Sequence, residues 1–69
     1  MGIEMVTEKR VLVRWWDGKH SREVSCSYDL AVSIASEQSN RKETPEVIIE
    51  LTPEKFIFYE DGIEVFKSF

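Results

Sequence analysis

The sequence is poor in the residues that build small domains around a disulfide or a metal. It has one cysteine, one histidine and three glycines in 69 residues. A lone cysteine excludes an internal disulfide, and one cysteine with one histidine cannot supply the usual ligands of structural zinc. The glycines form no phosphate-binding loop, and no apolar run approaches the roughly 20 residues of a membrane span. We therefore expect a cytoplasmic chain without metal, cofactor or membrane association.

The composition is that of a folded protein, with 42% hydrophobic and 32% charged residues. The length predicts a single domain over residues 1–69, near the lower limit for a core without disulfides, so self-association would help it. The net charge of −4 is uneven, because residues 1–28 sum to +1 and residues 43–69 to −5.

Two Asp-Gly pairs, Asp17-Gly18 and Asp61-Gly62, lie between runs rich in β-branched and aromatic residues, which is typical of two-residue β-hairpin turns. At the first turn this pattern pairs Trp16 with Lys19. The alternation then predicts a core face of Val11, Val13, Trp15, Val24 and Cys26. The opposite face receives Leu12, Arg14, Trp16, Ser21, Glu23 and Ser25.

The residue pattern in the middle of the chain predicts one helix and a third strand. Residues 29–40 carry an apolar stripe at helical spacing, with Ser27 or Asp29 as N-cap. The stripe consists of Leu30, Ala31, Ile34 and Ala35. Residues 46–51 then alternate as a strand, and Thr52-Pro53-Glu54-Lys55 favours a turn with proline at its second position.

The last hairpin is apolar on both faces. Its pattern is interpreted as a core face of Phe56, Phe58, Ile63, Val65 and Phe69. The outward face then carries Ile57, Tyr59 and Phe66. Together the elements predict an α+β fold, a small single domain of order ββαβββ, with an antiparallel curled sheet of about five strands and one short helix packed on it.

No arrangement of reactive side chains indicates an enzyme. His20 and Cys26 lie six residues apart in one predicted strand, about 20 Å at roughly 3.3 Å per residue, which is too far for proton transfer. Glu60, Asp61 and Glu64 surround a turn, where no enclosed pocket would shift their pKa values.

The outward apolar and arginine side chains indicate binding instead of catalysis. Tryptophan and arginine are enriched among residues that dominate protein interfaces, and sheet faces rarely expose this much apolar surface. The candidate partner-binding residues are Leu12, Arg14, Trp16, Ile57, Tyr59 and Phe66. We expect a non-catalytic protein-interaction module, a regulator or inhibitor of the phage or mobile-element type, that binds a larger protein and can form a homodimer.

Two alternative functions depend on charged surfaces. In the first, Glu60, Asp61 and Glu64 form an acidic surface that mimics DNA and inhibits a DNA-processing enzyme. In the second, the basic first hairpin binds nucleic acid, with tryptophans between the cations, although the net acidity disfavours this. The residues concerned are Lys9, Arg10, Arg14, Trp15, Trp16, Lys19 and Arg22.

Overall fold

A computed structural model of the chain describes residues 10–69, and within this range it confirms the predicted ββαβββ order. The elements are β1 (Arg10–Trp16), β2 (Ser21–Ser27), α1 (Tyr28–Gln38), β3 (Val47–Thr52), β4 (Lys55–Glu60) and β5 (Ile63–Lys67). The strands form one antiparallel sheet in the order β2-β1-β3-β4-β5, so that β2 and β5 are its edges. Residues 5–9 of the predicted first strand lie outside the described range.

The first hairpin has a longer loop than predicted, because Asp17 acts as a local cap. Its carboxylate accepts hydrogen bonds from the backbone N–H groups of Lys19 at 2.8 Å and His20 at 2.7 Å. Trp16 therefore pairs with Ser21 across a four-residue loop, and the predicted register is wrong by two residues. A shift of two leaves each side chain on its predicted face, because side chains alternate with a period of two.

The Asp17 carboxylate also makes the stability of the folded protein depend on pH. The backbone N–H groups of His20 and Lys19, and the guanidinium of Arg22 at 2.7 Å, hold the pKa of this carboxyl far below its usual 3.8. The folded protein keeps the carboxylate ionised where the unfolded chain takes up a proton, so its stabilising contribution is complete above about pH 5 and declines as the pH falls further. We expect Asp17→Asn to be less stable than the wild type at pH 7, with a difference that narrows below about pH 5.

Urea unfolding of both proteins across this pH range measures the difference, with the exposed Glu54→Gln as a control for the loss of one carboxylate. A difference that stays constant down to pH 3 would contradict the proposed role of the ionised carboxylate.

The second Asp-Gly pair forms the predicted two-residue turn between β4 and β5. Glu60 pairs with Ile63, and Asp61 and Gly62 have φ angles of 53° and 84°. A turn with positive φ at both central residues is the type I′ turn that matches strand twist. Beyond it the register shifts at Val65, which forms a bulge opposite β4.

Helix α1 packs on one side of the sheet through its smallest residues. Ala31 and Ala35 are fully buried one turn apart, and Ser27 caps the first turn by accepting a hydrogen bond from the Leu30 N–H. Leu30 itself, predicted in the buried stripe, is 51% exposed. The core between helix and sheet consists of Val11, Val13, Cys26, Ala31, Ala35, Val47, Ile49, Ile57 and Tyr59.

The C-terminal end of α1 is joined to the β4–β5 turn by two serines, which we call the serine clasp. Ser36 Oγ donates to the Gly62 carbonyl at 3.0 Å, and the Gly62 N–H donates to Ser39 Oγ at 2.9 Å. The Asp61 N–H donates to the Ser39 carbonyl at 3.1 Å. Because Ser39 is buried, these bonds hold the distal hairpin against the helix away from water.

The face assignment predicted for β4 is wrong, and a bulge explains why. The turn at Pro53-Glu54 pairs Thr52 with Lys55 as predicted, and a regular ladder from there would place Phe58 opposite Ile49. A register shift between Glu50 and Thr52 instead pairs Ile49 with Ile57. One inserted residue exchanges the two faces of a strand, so Ile57 enters the core and Phe58 faces outward.

Candidate protein-interaction surface

The side of the sheet opposite α1 is covered by no helix or strand of residues 10–69. One cross-strand row runs over all five strands of that range, in the order Glu23, Arg14, Ile48, Phe58 and Phe66. A second row places Leu12, Glu50 and Phe56 side by side. We call this surface the open face, and its outward residues are Leu12, Arg14, Trp16, Glu23, Ile48, Glu50, Phe56, Phe58 and Phe66.

The β3–β5 half of the open face is apolar. The Phe58 and Phe66 rings meet edge to face, with centroids 5.6 Å apart and planes at 77°. Phe66 is 56% exposed, and Ile48 lies next to Phe58 in the row. Aromatic pairs in this arrangement are rigid and carry a large apolar area, which suits them to bind another surface.

The β1–β2 half of the open face is charged and centred on Arg14. The guanidinium approaches Glu50 at 3.3 Å and Glu23 at 3.7 Å. Exposed ion pairs contribute at most about 1 kcal/mol to stability, so these contacts position the arginine more than they stabilise the fold. Trp16 continues the same face beyond Arg14 and is 47% exposed.

Four of the six candidate partner-binding residues lie where the sequence placed them. Leu12, Arg14, Trp16 and Phe66 all belong to the open face, and Trp15 points to the helix side as predicted. Their role in binding stays a prediction.

The expected exposure of the other two candidates, Ile57 and Tyr59, is wrong. Ile57 is 1% and Tyr59 7% exposed, because the bulge before β4 turns both toward α1. Burial raises the pKa of the Tyr59 hydroxyl above its usual value of 10.0, and Tyr28 and Glu64 add to the shift. Both residues therefore belong to the core and not to the open face.

Sequence reasoning missed Ile48, Phe56 and Phe58 as surface residues. The sequence does indicate that Ile48 faces outward, because it is an apolar residue between Val47 and Ile49, which occupy the core face of the same strand. Nothing in the sequence indicates that Phe56 and Phe58 face outward, because both faces of β4 are apolar and only the bulge decides which one is buried.

The acidic residues lie at the distal end of the β4–β5 hairpin. Glu60, Asp61 and Glu64 are all exposed, and no basic side chain of residues 10–69 forms an ion pair with them. Glu60 flanks the open face, whereas Glu64 pairs with Tyr59 and lies toward the helix side. The predicted acidic surface is therefore divided between the two sides of the sheet.

The reactive side chains are kept apart. Cys26 is buried in the core, as its position on the strand predicts, and His20 is exposed in the first loop. In the part of the chain that the structure describes, no group of three or more histidine, cysteine or acidic residues is placed to hold a metal ion. No helix there is long and apolar enough to cross a membrane.

Comparison with known proteins identifies no relative of this chain. No protein-family model, curated protein or solved structure matches the chain significantly. The function of the chain is therefore inferred from its surface.

Proposed function

We propose that this chain is a non-catalytic protein-binding module that pairs with a second copy of itself through the open face. The observation that carries the proposal is the apolar half of that face, where Ile48, Phe56, Phe58 and Phe66 lie on neighbouring strands outside the core. Sheets normally cover such a face with a second layer, and a second copy of the sheet can supply it.

The size of the open face suits a weak to moderate dimer. Five strands of about six residues outline roughly 480 Å² at standard spacing and rise. The relief of the side chains raises the accessible area above this flat outline, toward the roughly 800 Å² per partner of a standard interface.

The proposal predicts that Phe66→Ser weakens the dimer. We expect its dissociation constant to rise at least tenfold, or about 1.4 kcal/mol, because a large ring leaves the apolar half of the interface. Sedimentation equilibrium over a concentration series measures this, at low and high salt. An interface built on apolar contacts persists at high salt.

Leu30→Ser is the matched control, because Leu30 is 51% exposed on α1, away from the open face. Circular dichroism checks that both variants fold. A wild-type protein that stays monomeric at every concentration, or equal weakening by both substitutions, would refute pairing through the open face.

As a regulator or inhibitor, the module would act by covering a surface of a larger protein. The unpaired carboxylates of Glu60, Asp61 and Glu64 at the hairpin tip support a basic target surface, as the DNA-mimic hypothesis requires. Asp61 in the turn and Glu64 toward the helix side lie outside the open face and so would stay available to a third partner.

We rank nucleic-acid binding lower because of the contacts of the basic hairpin. Arg14 and Arg22 are already paired with carboxylates, and Lys9 lies outside the described residues. Trp15 and Trp16 point to opposite faces of the sheet and cannot form one stacking platform.

A further inference from the structure

A cavity of about 400 Å³ lies on the helix side of the sheet, the side away from the open face. It opens beside the beginning of α1, and its floor consists of Val11, Leu51 and Ile57. Tyr28 and Phe69 form aromatic walls. The volume falls within the range of about 300–1,000 Å³ that small-molecule sites occupy, and a mainly apolar lining is typical of them.

Two lysines stand at the rim of this cavity. Lys55 Nζ lies 5.6 Å and Lys67 Nζ 5.4 Å from the centre of the Phe69 ring. Both ammonium groups therefore lie near the same ring and no more than about 11 Å apart. No carboxylate of residues 10–69 forms an ion pair with either lysine, in a chain whose net charge is −4.

The β4–β5 pairing places both charges on the cavity side. Lys67 pairs directly with the buried Ile57, which forms part of the floor, and Lys55 begins the same strand two residues before it. Phe69 is 56% exposed and lines the cavity together with both lysines. Two cations thus border an apolar space that a long ligand can enter from solvent.

We infer that this cavity binds an amphipathic carboxylate, with an unbranched alkyl chain of medium length in the apolar space and its anionic end between Lys55 and Lys67. The chain is held by burial of its methylene groups, each of which raises affinity by roughly fourfold until the space is filled. The carboxylate is held by the two ammonium groups, which are point charges with freely rotating donors and impose no planar geometry on it.

The inference is tested with decanoate, used below its micelle concentration and followed by titration calorimetry and amide NMR. Decanoate is expected to bind at least tenfold more tightly than hexanoate, which has fewer methylenes, and than decanol, which has no charge. The amides that shift should be those of the cavity, including Tyr28, Ile57 and Lys67. Equal binding of decanol and decanoate, or shifts confined to Phe58 and Phe66 on the open face, would overturn it.

Charge-matched variants separate this site from general attraction. Lys55→Gln with Lys67→Gln is expected to weaken decanoate binding at least tenfold and leave decanol unaffected. The control combines Lys19→Gln with Lys42→Gln, which removes the same charge from two exposed positions outside the cavity. Equal effects of both pairs, or no binding by the wild type, would refute the site. Because the cavity and the open face lie on opposite sides of the sheet, a failure here leaves the proposed dimer untouched.

Discussion

Replacing Ile57 by alanine is expected to lower the free energy of unfolding by about 2–5 kcal/mol, the usual cost of truncating a fully buried isoleucine. Ile57 is 1% exposed and pairs with Ile49, so the lost methylenes enlarge the neighbouring cavity, and the core closes this gap only in part. At roughly 0.05–0.15 kcal/mol per residue the whole domain has about 3–10 kcal/mol of stability. The substitution would therefore remove a large fraction of it, as urea unfolding can measure.

Ile63→Ala is the matched control in the same hairpin. Ile63 is 63% exposed, and its truncation is expected to change stability by less than about 0.5 kcal/mol. The pair tests the bulge before β4, which decides which of these residues is buried. A larger loss at Ile63 than at Ile57 would mean that β4 and β5 have the opposite face toward α1.

The second large effect is expected at the serine clasp. Ser39→Ala removes the acceptor of the Gly62 N–H and leaves a partly buried donor without its partner, which costs about 1–3 kcal/mol. Urea unfolding measures the loss. Hydrogen exchange at the Gly62 amide should also become faster, because the protecting bond is gone.

Ser33→Ala provides the comparison, because Ser33 is exposed on the same helix and alanine is a better helix former. It is expected to be neutral or slightly stabilising. If both alanine variants unfold at the same urea concentration and the Gly62 amide stays protected, the clasp does not hold the hairpin to the helix.

The two Asp-Gly pairs show how far turn chemistry can be predicted from sequence. Asp61 and Gly62 formed the two-residue turn, because both can adopt positive φ. The same dipeptide at Asp17 and Gly18 became part of a four-residue loop, since the Asp17 carboxylate accepts the N–H groups of Lys19 and His20. The Asp-Gly dipeptide predicts that the chain turns, whereas the length of the loop depends on which hydrogen bonds the aspartate forms.

The faces of the sheet were predictable only where one side of a strand is polar. Val11 and Val13 alternate with Leu12 and Arg14, and their assignment was right despite the wrong register. In β4 both faces are apolar, so no periodicity separates them, and an unforeseen bulge decided the outcome.

The sequence therefore predicted only part of the open face. Arg14 and Trp16 could be placed from alternation alone, whereas Phe58 could not. Phe66 faces outward as predicted, but only because the bulge at Val65 pairs it with Phe58 instead of Ile57. The cavity could not be predicted at all, because it is formed where the beginning of α1 meets β3, β4 and the residues after β5. Such a meeting point depends on strand order, which no local pattern encodes.

The two edges of the sheet limit how many copies can add to it. β5 ends the sheet with the exposed charges Glu64 and Lys67, and β2 ends it with Arg22 and Glu23 in solvent. Charged side chains along an edge resist the addition of a further strand. Both edges therefore oppose growth of the sheet strand by strand. A domain of this design resists polymerisation at its edges even while its open face exposes enough apolar surface to pair.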